Sequence, residues 1–445
     1  MDTLREYLDF MRGHDLVLDV GEAVSREDIP ELIDRLSMRG KIIRFGRVEG
    51  YQCSVVANLV PSHEALGLLL GSGDPYATFL ERIRNSQPKV SVERDRELVT
   101  IDTKGRDLLT VLPILKYCEK DSAPYITTTV VSSVDPDSHV AGRGVHRMEY
   151  RGGNRLGVVL LNPPLVDIYH KYEERRERMP LTATLGVDPM LFLSMALKVA
   201  PDKDKLEVAG ALKESGVKVM PSFDSPIDVP AGAEFYLEGY VDASDLRQDG
   251  PMGEISGYYM AVEKSPTFVV TRVSHKPDPL YHALLPIGLE GDTYLTFVSR
   301  AHMEDSVKKL FPFIRDISFV GRTFGSSIVV SVGASERSKI RSLMISMMAF
   351  PMVKKVVVVD GDVDARNLRD VEWAVVTRCE ASRDILIVPG LQGQVIDPGA
   401  PMGLGVAKMG IDATMQGKEM EERARVAAGV PARIKKVLES LGGAE

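Results

Sequence analysis

Two carboxylates stand five positions apart in Asp249-Gly-Pro-Met-Gly-Glu254. Gly250, Pro251 and Gly253 disfavour both helical and ladder hydrogen bonding, so a tight irregular loop is expected here. Strand-like apolar runs flank it, Phe235–Val241 before and Ile255–Val262 after. Two acids on a glycine-rich loop between rigid strands could work as an acid–base pair, although the same spacing also describes a charged surface turn. Arg147, in Gly142-Arg-Gly-Val-His-Arg147-Met, lies where a turn enters a strand and could clamp a phosphate or carboxylate. Glu207, beside small and apolar residues in Lys205-Leu-Glu207-Val-Ala-Gly, is either surface charge or one oxygen ligand for magnesium or manganese. Asp360-Gly-Asp-Val-Asp364 superficially resembles a calcium loop, but its glycine and downstream glutamate fall at the wrong offsets.

The elements that must position these groups change character along the 445 residues. That length predicts two or three domains. Residues 1–110 mix helix (Thr3–Arg12, and Ile29–Met38 after a Ser25 capping start) with strands Lys41–Val48 and Cys53–Leu59. The stretch to about 305 is strand-rich. Tyr125–Val134 is dense in β-branched residues, and Val145–Tyr150 and Leu156–Leu161 read as a hairpin over Arg151-Gly-Gly-Asn154. Helices are predicted over Asp167–Arg178 and Pro189–Val199, and strands over Glu234–Val241, Gly257–Val262 and Thr267–Ser274, a pattern suggesting a β-barrel-like domain. From about 306 helix and strand alternate (strands Ser327–Val332, Lys355–Asp360 and Asp384–Val388, a Met-rich helix Ile340–Phe350), which predicts an α/β layer with a largely parallel sheet and a long closing helix over Glu419–Leu441.

Composition narrows the class. An apolar content of 44% with 27% charged residues is that of a folded protein. A formal net charge of −8 without a basic stripe argues against nucleic-acid binding. The three cysteines, Cys53, Cys118 and Cys379, show no metal-type spacing and fit a reducing cytoplasm. No run approaches about 18 apolar residues, so no membrane span is expected.

In order, Tyr125-Ile-Thr, His146-Arg147-Met, Glu207-Val-Ala-Gly-Ala-Leu, Ala233-Glu-Phe-Tyr-Leu-Glu-Gly-Tyr, Asp249-Gly-Pro-Met-Gly-Glu-Ile-Ser-Gly-Tyr-Tyr, Tyr281-His-Ala-Leu-Leu-Pro, the Asp360–Arg378 segment, Asp397-Pro and Gly410-Ile-Asp-Ala-Thr414 resemble consecutive blocks of the UbiD family of decarboxylases. The resemblance covers most of residues 110–415. It implies an α+β/α/β multidomain protein: an N-terminal α/β region (1–110), a split β-barrel domain holding prenylated FMN (111–305), and a C-terminal α/β oligomerisation domain with a long terminal helix (306–445). The implied reaction is reversible non-oxidative decarboxylation of an aromatic or α,β-unsaturated acid, with a flavin prenyltransferase as cofactor supplier and homodimers or homohexamers as the assembly.

Residue by residue, the resemblance makes Arg147, Asp249 and Glu254 the catalytic trio, with Glu254 as proton donor and Asp249 one methylene shorter than the usual glutamate. It brings Val145, His146 and Arg147 to the flavin, and Ser194 and Met195 near its phosphate. It also implies Mn2+ and K+ beside that phosphate. Of three protein ligands to the divalent ion only Glu207 is retained, Gly142 and Leu165 standing where an asparagine and a histidine are usual; an offset alignment brings His139, Asn162 or Asp167 instead. Either the phosphate is held without that ion, or the chain is a divergent paralogue with weak or no activity; the competing reading is a non-catalytic flavin-binding or structural subunit. An acid beside Arg147 should have its pKa lowered, and one in an apolar pocket should have it raised. The chain is more similar to archaeal and bacterial members than to fungal ferulic acid decarboxylases, so an isoprenoid-precursor acid such as anhydromevalonate phosphate stands beside hydroxybenzoates as substrate.

Overall fold

The computed structural model describes residues 1–199, 203–333, 337–394, 396–400 and 405–415, with 418, 423, 424, 426 and 437. Its centre is an antiparallel sheet. We label its main strands β1 (Tyr125–Val134), β2 (Ala141–Tyr150), β3 (Arg155–Val158), β4 (Met179–Leu185), β5 (Phe235–Gly253) and β6 (Tyr259–His275). They run in the order β5-β4-β1-β2-β3-β6, followed by the short strand Val99–Asp102, and β5 also pairs with β6. All ten residues of β1 are buried. Ile126 and Val131 enter one apolar core and Val130 and Val134 another, so its β-branched run serves two packed faces. This seven-stranded sheet, within a mixed α/β fold, is what stands where a split β-barrel was expected.

The largest departure from expectation is at Asp249–Glu254. Instead of a loop between short strands, β5 continues for 19 residues and stays paired with β6 as far as Gly253. Register shifts on either side of Asp249 absorb Gly250 and Pro251, whose missing N–H costs little at a bulge. Gly250 has φ +96°, and a Cβ there would stand 2.6 Å from Met260 O, so no other residue fits. The turn itself begins at Glu254, whose N–H donates to Tyr258 O at 2.9 Å.

Three helices lean on this sheet: α1 (Leu165–Arg175), α2 (Pro189–Ala196) and α3 (Lys205–Lys213). Asp188 caps α2 through bonds from the N–H groups of Met190 and Leu191, and Asp204 caps α3 through Leu206 N–H. Seven of the eight α2 residues are buried, as a helix apolar all round must be.

The N-terminal strands Ile42–Val48 and Ser54–Ala57 pair antiparallel across Gly50, as expected, but their sheet is completed by Leu280–Ala283 from far along the chain. The helix predicted from Ser25 begins at Ile29, because the Ser25 hydroxyl bonds Glu27 rather than a helix N–H. Helix α4 (Leu289–Val307) leads to a five-stranded sheet of β7 (Ile314–Phe319), β8 (Ser327–Val332), β9 (Lys355–Asp360), β10 (Ile385–Leu391) and β11 (Val406–Ala413), in the order β7-β8-β9-β11-β10. The β8–β9 and β9–β11 pairs are parallel and both edge pairs antiparallel, so the sheet is mixed rather than largely parallel. Val356 and Val358 of β9 pack with Met344, Met347 and Met348 of α5 (Arg337–Met348), while Val357 and Val359 pack with Val371 and Ala374 of α6 (Leu368–Arg378). Two acids of the calcium-like segment, Asp360 and Asp362, are paired with the buried Arg378, and Asp370 beyond it is paired with Arg423. The closing helix over Glu419–Leu441 lies outside the described residues, save isolated positions. Among the described residues no helix is long and apolar enough to cross a membrane.

Candidate active site

Arg147 projects from β2 and is met by both acids of the β5 end. Its Nε and Nη2 donate to Asp249 Oδ1 at 3.0 and 2.7 Å, and its Nη1 donates to Glu254 Oε1. Two acids more than 100 positions from Arg147 in sequence thus share its one guanidinium, because the β5–β6 ribbon folds back over β2. Its end is fastened by two acids that sequence reasoning missed. Glu149 Oε1 accepts from Ser122 Oγ (2.5 Å), Tyr125 OH (2.9 Å) and Gly250 N–H (3.3 Å), while Asp121 Oδ1 accepts from Gly253 N–H (2.8 Å). The alternation Arg147–Glu149, on one face of β2, is the sequence pattern that could have revealed Glu149.

Burial decides the charges. Asp249 has no exposed side-chain surface, and its Oδ2 is buried without a hydrogen-bond partner. Desolvation therefore lifts its carboxyl above the usual range, against the pull of Arg147 and with a further push from Glu149. The expectation that contact with Arg147 would lower an acid is reversed at Asp249 because desolvation outweighs the pull of that guanidinium. Burial alone would lower the Arg147 guanidinium, yet Asp249 and Glu254 together hold it above its ordinary value. Glu254 keeps a quarter of its side chain exposed.

The predicted flavin contacts lie on β2 and α2. Val145 packs into the core shared with α2 and α3. His146 Nδ1 lies 2.6 Å from Val159 O, and a Cβ at Gly144 would stand 2.9 Å from its Nε2, so the ring folds back over a glycine. Burial lowers the His146 pKa, which keeps the ring neutral with Nδ1 as donor and Nε2 as a free acceptor. Ser194 is fully buried, with its hydroxyl donating to Met190 O; Met195 O accepts from Lys205 Nζ at 2.7 Å.

A divalent cation is not fitted by the residues present. A side chain at position 142 would collide with Ile168 and crowd Pro164 and Leu165, and Leu165 is fully buried. His139, Asn162 and Asp167 are exposed, and among the described residues no three His, Cys, Asp or Glu side chains gather as a metal site, Glu207 included. A flavin is better matched: Asp249 Oδ2 is buried without a partner, and the Lys205 ammonium spends one of its three donors, on Met195 O. An open cleft of about 610 Å3, walled by Tyr117, Cys118, Tyr259, Leu285 and Ile287, runs beside Gly253, against which Cys118 and Ile287 pack. Leu285 and Ile287 of the cleft wall follow the strand Leu280–Ala283, in which His282 is buried against Glu290 at 2.8 Å.

Known proteins resemble this chain over most of its length. Residues 89–289 match the 3-octaprenyl-4-hydroxybenzoate carboxy-lyase Rift-related domain, and residues 292–413 match the C-terminal domain of the same family. The anhydromevalonate phosphate decarboxylase of Methanosarcina mazei is 30% identical over 95% of this chain and 99% of its own. The phenolic acid decarboxylase of Escherichia coli O157:H7 is 28% identical over 93% and 92%. Among solved structures, the UbiD-class enzyme HmfF from Pelotomaculum thermopropionicum in complex with FMN superposes with a TM-score of 0.86 at 28% identity, covering 97% of this chain and 98% of its own. An evolved dimeric form of HmfF, in complex with prFMN, gives 0.82 at 26% identity, covering 98% of each chain. The chain belongs to the UbiD family and is a carboxy-lyase.

Proposed function

We propose that this carboxy-lyase removes CO2, reversibly and without net oxidation, from an α,β-unsaturated or aromatic acid with prenylated FMN as cofactor. The observation that carries the reading is the sharing of Arg147 between Asp249 and Glu254 at the end of the β5–β6 ribbon. Prenylated FMN, when bound, supplies the electron sink that a protein side chain cannot. Its contacts would fall on Val145, His146 and Arg147, with Ser194 and Met195 toward the phosphate. Arg147 orients the substrate carboxylate, and the buried Asp249 fixes the direction of its fork. As the C–C bond to the carboxylate breaks, CO2 leaves and the electron pair stays on carbon. The proton from the Glu254 carboxyl then fills that position, and reversal needs only the same group as base.

The similarity to anhydromevalonate phosphate and phenolic acid decarboxylases supports a conjugated acid as substrate, phosphorylated or phenolic. The same reading puts domain limits near 110 and 305, gives the central sheet the role of a split barrel, and makes the working form a homodimer or homohexamer. No step is assigned to a divalent ion. The test is to co-express the chain with a flavin prenyltransferase and assay conjugated acids. Glu254→Gln should lower kcat by about a hundredfold or more while the bound flavin stays. Normal turnover by that variant, or a purified protein free of modified flavin, would sink the proposal.

A further inference from the structure

Lys205 is the first residue of α3 and is 8% exposed. An ammonium has three N–H donors, and a buried one normally spends them all. Lys408 shows the usual outcome: its Nζ, also buried, donates to the carbonyls of Met348, Phe350 and Pro351 at the end of α5. Lys205 donates to one carbonyl, Met195 O at 2.7 Å, and among the described residues it forms no ion pair. Its neighbour Asp204 does not reach back, being engaged by Arg143 at 2.8 Å, by Lys89 at 3.1 Å and by Leu206 N–H. Burial lowers the Lys205 pKa to about 8, and its ammonium is held beside the C-terminal turn of α2, close enough to act on His146 and with donors to spare. Residues two apart on a helix point in nearly opposite directions, so Glu207 cannot share the side of α3 from which Lys205 reaches Met195. The two other positions that could have supplied metal ligands, 142 and 165, are closed by Ile168 and Leu165.

Resting on the flavin reading above, we propose that the Lys205 ammonium takes the place of a divalent cation and binds the cofactor's phosphate directly, making flavin binding independent of metal. The ammonium brings the compensating charge on a tether, and its two spare N–H groups match phosphate oxygens as charge-assisted donors. Riboflavin, which lacks the phosphate, should gain nothing from it.

The experiment is fluorescence titration of the full-length, flavin-stripped protein with FMN and with riboflavin, in EDTA or in Mn2+. FMN should bind more tightly than riboflavin, with its Kd the same in EDTA and Mn2+ to within about twofold. Lys205→Met should weaken FMN by about tenfold or more and leave riboflavin unchanged, and Lys205→Arg should restore most of the difference. FMN binding that collapses in EDTA and returns with Mn2+ overturns the proposal, as does a folded Lys205→Met protein with wild-type FMN affinity or equal wild-type affinity for the two flavins. If Lys205→Met does not fold, the chelator comparison on the wild type decides. If neither flavin binds, the flavin reading falls and this proposal with it.

Discussion

Asp249 has a raised carboxyl pKa although an arginine touches it, and that combination has a measurable consequence. An acid that binds its proton more tightly when folded than when unfolded contributes stability below its unfolded pKa, and this is lost as pH rises through the folded value. The unfolding free energy of the wild type relative to Asp249→Asn should thus fall as pH climbs from 3.8, then level off once the native pKa is passed. Urea titrations between pH 3.5 and 7 would show it, and a flat difference would mean that Asp249 is not desolvated. Arg147 is tested at the same scale. Arg147→Lys keeps the charge but not the fork that holds two acids, so kcat should fall by about tenfold or more with flavin still bound, read as turnover per bound flavin.

At the scale of elements, a buried ion pair ties β2 to α3. Arg143, 1% exposed, donates to both oxygens of Asp204, to Ser132 Oγ and to Asp228 O, and Asp204 in turn caps α3. Asp204→Ala strands that guanidinium and removes the cap, and should cost about 3–5 kcal/mol in denaturant unfolding. In spite of burial, Arg143 holds the Asp204 carboxyl below its ordinary 3.8. Its contribution is therefore complete above pH 3.8 and is lost as pH falls through the lower native value, so the deficit of Asp204→Asn should shrink only in strong acid. Because Lys205 follows Asp204 directly, this ion pair also sets where the lysine stands.

For the whole molecule, the C-terminal layer has its own two cores on either side of β9 and joins the rest through α4. Arg300 of α4 pairs with Glu304 and with Asp316 of β7, and exposed pairs such as Arg322–Asp34 and Arg366–Glu64 add little to the junction. Removing two methyls from fully buried Val358 should therefore cost about 2 kcal/mol while leaving FMN affinity at its wild-type value. Calorimetry and flavin titration on Val358→Ala check both halves of that statement.

What could be read from residue order alone was whatever is local or carried by a motif. Tyr125–Val134, Ser327–Val332 and Lys355–Asp360 are strands at the expected bounds because runs of β-branched side chains pack well in extended backbone. The ordered blocks around Arg147, Asp249 and Glu254 likewise identified the family. Tertiary structure alone decided the rest. Gly250 and Pro251 argued for a loop, yet strand pairing on both sides carried the ladder through them as a bulge, since a local preference of about 1–3 kcal/mol yields to a sheet built elsewhere. Glu149 and Asp121 as the ties of that bulge, Ile168 closing position 142, and an under-satisfied lysine at 205 all depend on contacts between distant segments. Charge balance in a buried site is a sum over neighbours in space, and a string of letters does not contain those neighbours.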